Sequence, residues 1–289
     1  MPYTAEINRS NPTAFIFVID QSGSMADAMP GSDPPKKKCD AVADSVNNLL
    51  RNLSLRCARP DGVRDYFYVG VIGYGTTVGS AYSGSLAGQE LVPLSTLANS
   101  PAKVEERTKK TDDGAGGLVE QTVKFPVWFE PKASGGTPMC QALGLTRTWI
   151  ETWVNLHPTS FPPTVIHITD GESTDSADPA EANRMVGEMM SELTSISSED
   201  GAVLLFNVHV SSNAKVREFA FPSDDSNLPD DYSRMLFAGA SLLTDNMHRI
   251  ANDEHSLGLA PGAKAFTLNG DLTIVVQALD IGTRASNLR

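Results

Sequence analysis

Apolar positions along the chain fall into two alternating kinds of text. Residues 13–20 read TAFIFVID, an unbroken apolar run rich in aromatic and β-branched side chains, as expected of a strand covered on both faces. Residues 66–74, 164–169 and 203–210 have the same character, and residues 265–268 form a shorter, weaker version. Between these runs the apolar positions recur at helical spacing. Cys39, Val42, Val46, Leu49, Leu50 and Leu53 fall on one stripe, Met139, Leu143, Thr146, Ile150 and Trp153 on a second, and Ala182, Met185, Val186, Met189, Leu193 and Ile196 on a third. Strands alternating with helices of this length require crossover connections. They predict an α/β fold: a doubly wound, Rossmann-like, mainly parallel sheet with helices on both faces.

The stretch NGDLTIVVQALDIGT predicts a last helix, capped by Asn269 or Asp271, with Leu272, Val275, Val276 and Leu279 on one face and Gly282 as its stop. Its β-branched TIVVQAL also suits a strand, but the spacing favours a helix. Two regions exceed what a minimal sheet needs. Residues 84–134 hold turn-rich text, a short predicted helix over 101–110, and the glycine-rich DDGAGG, expected to be a mobile loop. Residues 211–264 hold the acidic SDDSNLPDD, followed by helical patterns near 235–237 and 242–250. Neither has enough apolar periodicity for its own core, so residues 1–289 read as a single domain with elaborations at about 84–134 and 211–264. No internal repeat is evident.

Length and composition agree with this picture. The chain has 289 residues, 40% of them apolar and 20% charged, a balance that does not suggest disorder. With 35 acidic against 23 basic residues, the net charge of -12 repels phosphate backbones and argues against general nucleic-acid or anionic-membrane binding. The first residues carry no apolar leader, and the longest hydrophobic runs are too short to cross a bilayer, so a cytoplasmic location is expected. Cys39, Cys57 and Cys140 are odd in number and lack close paired spacing, which points to reduced, mostly buried thiols.

Candidate chemistry sits at the strand ends. FVIDQSGSM puts Asp20 at the end of the first strand, with Ser22 and Ser24 in the loop beyond it, and VIHITDGES puts Asp170 at the end of another. In an open α/β sheet, ligands gather where such loops converge. Two carboxylates facing one crevice repel each other unless a cation neutralises them. GGTPM, residues 135–139, precedes a helix and offers Thr137 as a further hydroxyl. The donors are all oxygen, which selects magnesium, with manganese or calcium as alternatives, over zinc or copper.

Taken in order, DQSGS, GGTPM and TDG resemble the metal-ion-dependent adhesion site of von Willebrand factor A domains. The resemblance implies that Ser22 and Ser24 bind the ion directly, that Thr137 binds directly or through water, and that Asp20 and Asp170 act largely through coordinated waters. It also implies a non-catalytic module whose cation, Mg2+ or else Mn2+ or Ca2+, is completed by an Asp or Glu of a protein partner. More narrowly, the chain is similar to stand-alone bacterial proteins of tellurium-resistance and stress operons. That similarity implies an intracellular scaffold or regulator, with a protein kinase and a PP2C-type phosphatase as partners.

Other readings stay beside this one. A metal-dependent phosphohydrolase also places an aspartate at a strand end, but Ser22 stands where a second acid is needed, and no lysine adjoins the metal segments in sequence. A structural subunit stabilised by its metal is a third reading. His157, His167, His209, His248 and His255 read as structural, Glu172 as a solvated loop residue, and Lys36 to Lys38 as the solvated start of a helix. FPVWFEP, residues 125–131, fits either a partner patch or, more simply, packing of the insertion. GYGTTVG, residues 73–79, lacks the spacing of a nucleotide loop and reads as a hairpin turn.

Overall fold

A computed structural model describes residues 2–30, 32, 34–112, 118–210 and 217–283. In chain order the main elements are β1 (Thr13–Asp20), α1 (Lys38–Arg56), β2 (Phe67–Tyr74), β3 (Val78–Ser80), β4 (Val92–Pro93), α2 (Leu94–Asn99), β5 (Lys103–Asp112), β6 (Leu118–Val127) and α3 (Met139–Leu156). They continue with β7 (Thr164–Thr169), α4 (Pro179–Ser195), β8 (Leu204–Val210), β9 (Phe219–Ala220), α5 (Asp231–Gly239), α6 (Asp245–Asp253), β10 (Phe266–Gly270) and α7 (Leu272–Thr283).

The central sheet runs β9-β10-β8-β7-β1-β2-β3, with β4 paired to β2. Strands β2, β1, β7, β8 and β10 are parallel, and β3, β4 and β9 are antiparallel additions at the edges. Every residue of β1 is buried. Phe15, Phe17 and Ile19 enter one apolar layer with α1 and α7, while Ile16 and Val18 enter the opposite layer with α3, α4 and α5. Alternate side chains feeding two layers explain the unbroken apolar run; burying a side chain such as Phe17 contributes about 1.5–3 kcal/mol. This is the mainly parallel, two-sided α/β fold that the periodicity predicts, and no helix among the described residues is long and apolar enough to cross a membrane.

Both elaborations send side chains into these layers. Trp128 and Phe129 pack against α1, where Asn47 accepts from the Trp128 N–H (2.9 Å) and donates to the Phe129 carbonyl (3.0 Å), so FPVWFEP serves packing. Leu228, Tyr232 and Leu236 join the opposite layer. GYGTTVG turns β2 into β3 as a hairpin.

Three expectations need correction. Residues 101–110 do not form a helix: β5 spans Lys103–Asp112 and pairs antiparallel with β6 along its whole length. The β-branched text of 118–127 supplies a partner strand, and pairing overrides the helical reading of a charged segment. Gly282 does not stop α7; it lies inside the helix, where a Cβ would come within 3.1 Å of Ile166 and 3.3 Å of Phe206, so its smallness serves helix-to-sheet packing. Lys38 is not solvated, as the site geometry makes plain. The expected mobile loop at DDGAGG falls, except for Asp112, outside the described residues.

Candidate functional site

The carboxyl ends of β1, β2 and β7 meet at one edge of the sheet, where three loops are tied together by backbone hydrogen bonds. Gln21 N–H donates to the Tyr74 carbonyl (2.7 Å), Ser134 N–H to the Gln21 carbonyl (2.7 Å), Thr76 N–H to the Ser134 carbonyl (3.0 Å) and Gly23 N–H to the Gly135 carbonyl (3.1 Å). Two glycines permit this closeness. A Cβ on Gly75 would lie 2.6 Å from the carbonyl oxygens of Gln21 and Ser134, and Gly135 has φ +85° with Thr76 N only 2.5 Å from a notional Cβ.

Asp20 ends β1 fully buried. Its Oδ1 accepts from the Ser22 N–H (2.8 Å) and its Oδ2 from the Thr169 hydroxyl (3.0 Å). Burial pushes its carboxyl up to about 6; hydrogen bonds from Ser22 and Thr169 oppose the rise, and the charge of Asp170 adds to it. Beyond Asp20 the chain turns through a short 3-10 segment, Gly23–Ala26, anchored by buried Met25. This turn sets Ser22 Oγ 3.0 Å from Ser24 Oγ, and Ser24 Oγ donates to Asp170 Oδ1 (2.7 Å). Thr137 lies in a loop directly before α3 but is buried, with its N–H on the Thr174 hydroxyl (2.8 Å) and its carbonyl accepting from the Thr174 N–H (3.0 Å). The structure thus joins Asp20, Ser22, Ser24 and Asp170 in one hydrogen-bonded chain, Asp20 through the Ser22 N–H, and places the Thr137 loop against it through Gly135. Glu172 points to solvent, as expected.

A residue missed in the sequence completes the cluster. Lys38, the first residue of α1, is 1% exposed, and its ammonium contacts Asp170 Oδ2. Asp27 Oδ2 lies 3.8 Å from the same ammonium, and the Lys38 N–H donates to the Asp27 carbonyl (2.8 Å). The sequence held a sign of this: Lys38, Val42 and Val46 stand four residues apart, on one helical face. The solvated reading therefore fails for Lys38, whereas Lys36 pairs with Asp44 at 2.5 Å while more than a third exposed. No lysine adjoins the candidate segments in sequence, but Lys38 meets Asp170 in space.

The acid loop is braced from outside the minimal sheet. Tyr232, on α5, donates its hydroxyl to the Gly171 carbonyl (2.5 Å). Among the described residues no group of three His, Cys, Asp or Glu side chains is placed to hold a metal; the donors at this edge are carboxylates and hydroxyls together.

No family model matches the sequence, and no curated protein matches it. Solved structures give remote likenesses. Proximal thread matrix protein 1 from the mussel byssus, in a structure with a zinc-occupied MIDAS motif, is 14% identical with a TM-score of 0.39, over 80% of this chain and 42% of that one. Three N-terminal domains of the type V pili tip protein Mfa5 from Porphyromonas gingivalis are 13% identical with a TM-score of 0.32, over 56% of this chain and 20% of that one. The chain spans less than half the length of either structure. Similarity at this level assigns no family.

The donor set does fit a hard cation. Hydroxyls and carboxylates are the oxygen donors that such ions take, and hydrogen bonds of 3.0 and 2.7 Å gather those of Ser22, Ser24 and Asp170 into one cluster.

Proposed function

We propose that this protein is a von Willebrand factor A-type binding module that holds a divalent cation at Asp20, Ser22, Ser24, Thr137 and Asp170 and recognises an acidic side chain of a protein partner. The linked oxygens of Ser22, Ser24 and Asp170 carry the proposal, because they are hard donors gathered into one cluster from loops at opposite ends of the motif. When bound, the ion supplies an electrophilic position for a partner carboxylate. The protein's own residues do the rest: Ser22 and Ser24 present neutral oxygens, Asp20 orients the loop through the Ser22 N–H, and Asp170 balances charge. Neutral ligands in this role leave the ion electron-poor.

The stress-operon resemblance adds a protein kinase and a PP2C-type phosphatase as candidate partners for a scaffold of this kind. The phosphohydrolase reading gains Lys38 as a charged neighbour. Against it, Asp20 is fully buried and both of its oxygens already accept hydrogen bonds, which leaves it poorly disposed as a nucleophile.

The deciding experiment is affinity capture with this protein as bait, in magnesium and in excess chelator, repeated with Asp20→Ala. Partners held only in magnesium and only by the unaltered protein support metal-bridged recognition. Equal capture in chelator overturns it, and Asp20-dependent turnover of a generic phosphoester in magnesium favours the enzyme.

A further inference from the structure

The geometry points to Lys38 as an internal cation of this site, one that stands in for a divalent ion as counter-charge and weakens the site's hold on that ion. The inference rests on the cation-site reading above and deepens it.

Two carboxylates are withdrawn from solvent here: Asp20 is 0% exposed, and so is the Asp170 side chain. Buried like charges are costly without compensation. The ammonium of Lys38 supplies it, reaching Asp170 from the first turn of α1 with its side chain 2% exposed. Asp170 is divided between two tasks. Oδ1 takes the Ser24 hydroxyl and faces the serine pair, while Oδ2 takes the ammonium. A cation among the serines and Oδ1 therefore has a fixed positive charge on the far side of the same carboxylate. The two do not compete for one oxygen, but they repel.

Charge counting gives the consequence. Among the buried groups, two carboxylates and one ammonium sum to about -1, the Asp27 carboxylate being 59% exposed and largely screened by water; a divalent ion takes the buried site to about +1, and one carboxylate from outside returns it to neutral. Lys38 thus lowers affinity for the metal alone and raises affinity of the loaded site for an anionic ligand. Metal and acidic ligand then reinforce each other's binding, as linkage requires. Without Lys38 the loaded site is neutral at the outset and gains less from an acid.

The test uses the full chain and Mn2+ alone. Lys38→Met keeps the length and flexibility of the side chain while removing its charge, and Lys38→Arg keeps the charge. Calorimetric titration with MnCl2 is expected to show at least tenfold tighter binding to Lys38→Met than to the unaltered protein, with Lys38→Arg close to the latter. In chelator Lys38→Met is expected to melt at a lower temperature, with Mn2+ restoring the loss. Manganese affinity in Lys38→Met equal to or below that of the unaltered protein overturns the role of Lys38 and leaves the metal site standing. No manganese binding to any of the three overturns the metal reading itself and this inference with it. Should Lys38→Met not fold with or without Mn2+, the double variant Lys38→Met/Asp170→Asn decides: recovery of folding supports the charge pairing, and continued failure overturns it.

Discussion

Tyr74 Oη lies 2.7 Å from His167 Nε2, reaching across β1 from one parallel strand to another. The other ring nitrogen, Nδ1, is 3.0 Å from Asn207 Oδ1, and Asn207 Nδ2 donates to the Leu236 carbonyl (2.8 Å). Asn207 faces the ring with its acceptor, so Nδ1 carries the proton and Nε2 accepts from the Tyr74 hydroxyl. Burial is the main cause that lowers the His167 pKa to about 4, with the Asn207 hydrogen bond opposing it. A group whose pKa is depressed by folding from about 6.5 binds more protons unfolded than folded between those values, so stability rises with pH across that window. Fully present above about 6.5, this contribution fades as pH falls toward 4, and by pH 5 about 2 kcal/mol of it is gone. Asp20, raised by folding, has the opposite sign: its contribution falls as pH rises through about 6. Denaturant unfolding of the native chain and His167→Gln at pH 5 and 7.5 isolates the histidine, because Asp20 is common to both. The unaltered protein is expected to gain about 2 kcal/mol more between the two pH values; equal gains would remove His167 from the account.

Removing one member of the Lys38–Asp170 pair leaves the other buried without its nearest counter-charge. Asp170→Ala is expected to destabilise the fold by about 3–5 kcal/mol in chelator, measured by urea unfolding. A loss below about 1 kcal/mol would mean that the pair is solvated in solution.

Ser22→Ala and Thr137→Ala are expected to separate binding from folding. Both side chains are buried in loops, not in the apolar layers, and the Thr137 backbone bonds to Thr174 survive the change. Each variant should stay within about 1–2 kcal/mol of the native stability yet bind MnCl2 at least tenfold more weakly by calorimetry. Native manganese affinity in Ser22→Ala would contradict its place as a ligand.

Gly135→Ala tests the close approach of loops. Its φ of +85° is unfavourable for alanine, and the new methyl meets Thr76 backbone at 2.5–2.7 Å. A destabilisation of about 1–3 kcal/mol is expected, together with weaker manganese binding because Gly135 ties the Thr137 loop to Gly23. Unchanged melting and binding would show that the loop can relax freely.

How much of this was legible in the sequence depended on whether the cause was local. β1, β2, β7 and β8 follow from apolar runs that feed two layers, and the stripe from Cys39 to Leu53 is buried throughout. In α4 the stripe is slightly misplaced: Met190 is buried, while Met185 and Met189 are half-buried. Asp20, Ser22, Ser24 and Asp170 were legible as a group because strand ends at one edge of a parallel sheet converge. β5 was not, since KVEERTKKTD becomes a strand only by pairing with a partner further along the chain. Lys38 was hidden among three lysines, where average behaviour suggested solvent and only its register with Val42 and Val46 pointed inward. Thr169 as a donor to Asp20 depends on a side-chain direction that no spacing rule conveys.

The phenol of Tyr232 on the Gly171 carbonyl gives the later half of the chain a stake in the acidic edge of the sheet. α5 begins in a capping box, with the Asp230 side chain accepting from the Ser233 N–H and the Ser233 hydroxyl bonded back to Asp230. Whatever uncoils that first turn slackens the peptide directly after Asp170. Pruning this region in search of a minimal binding core would unseat the very loop such a core is meant to keep.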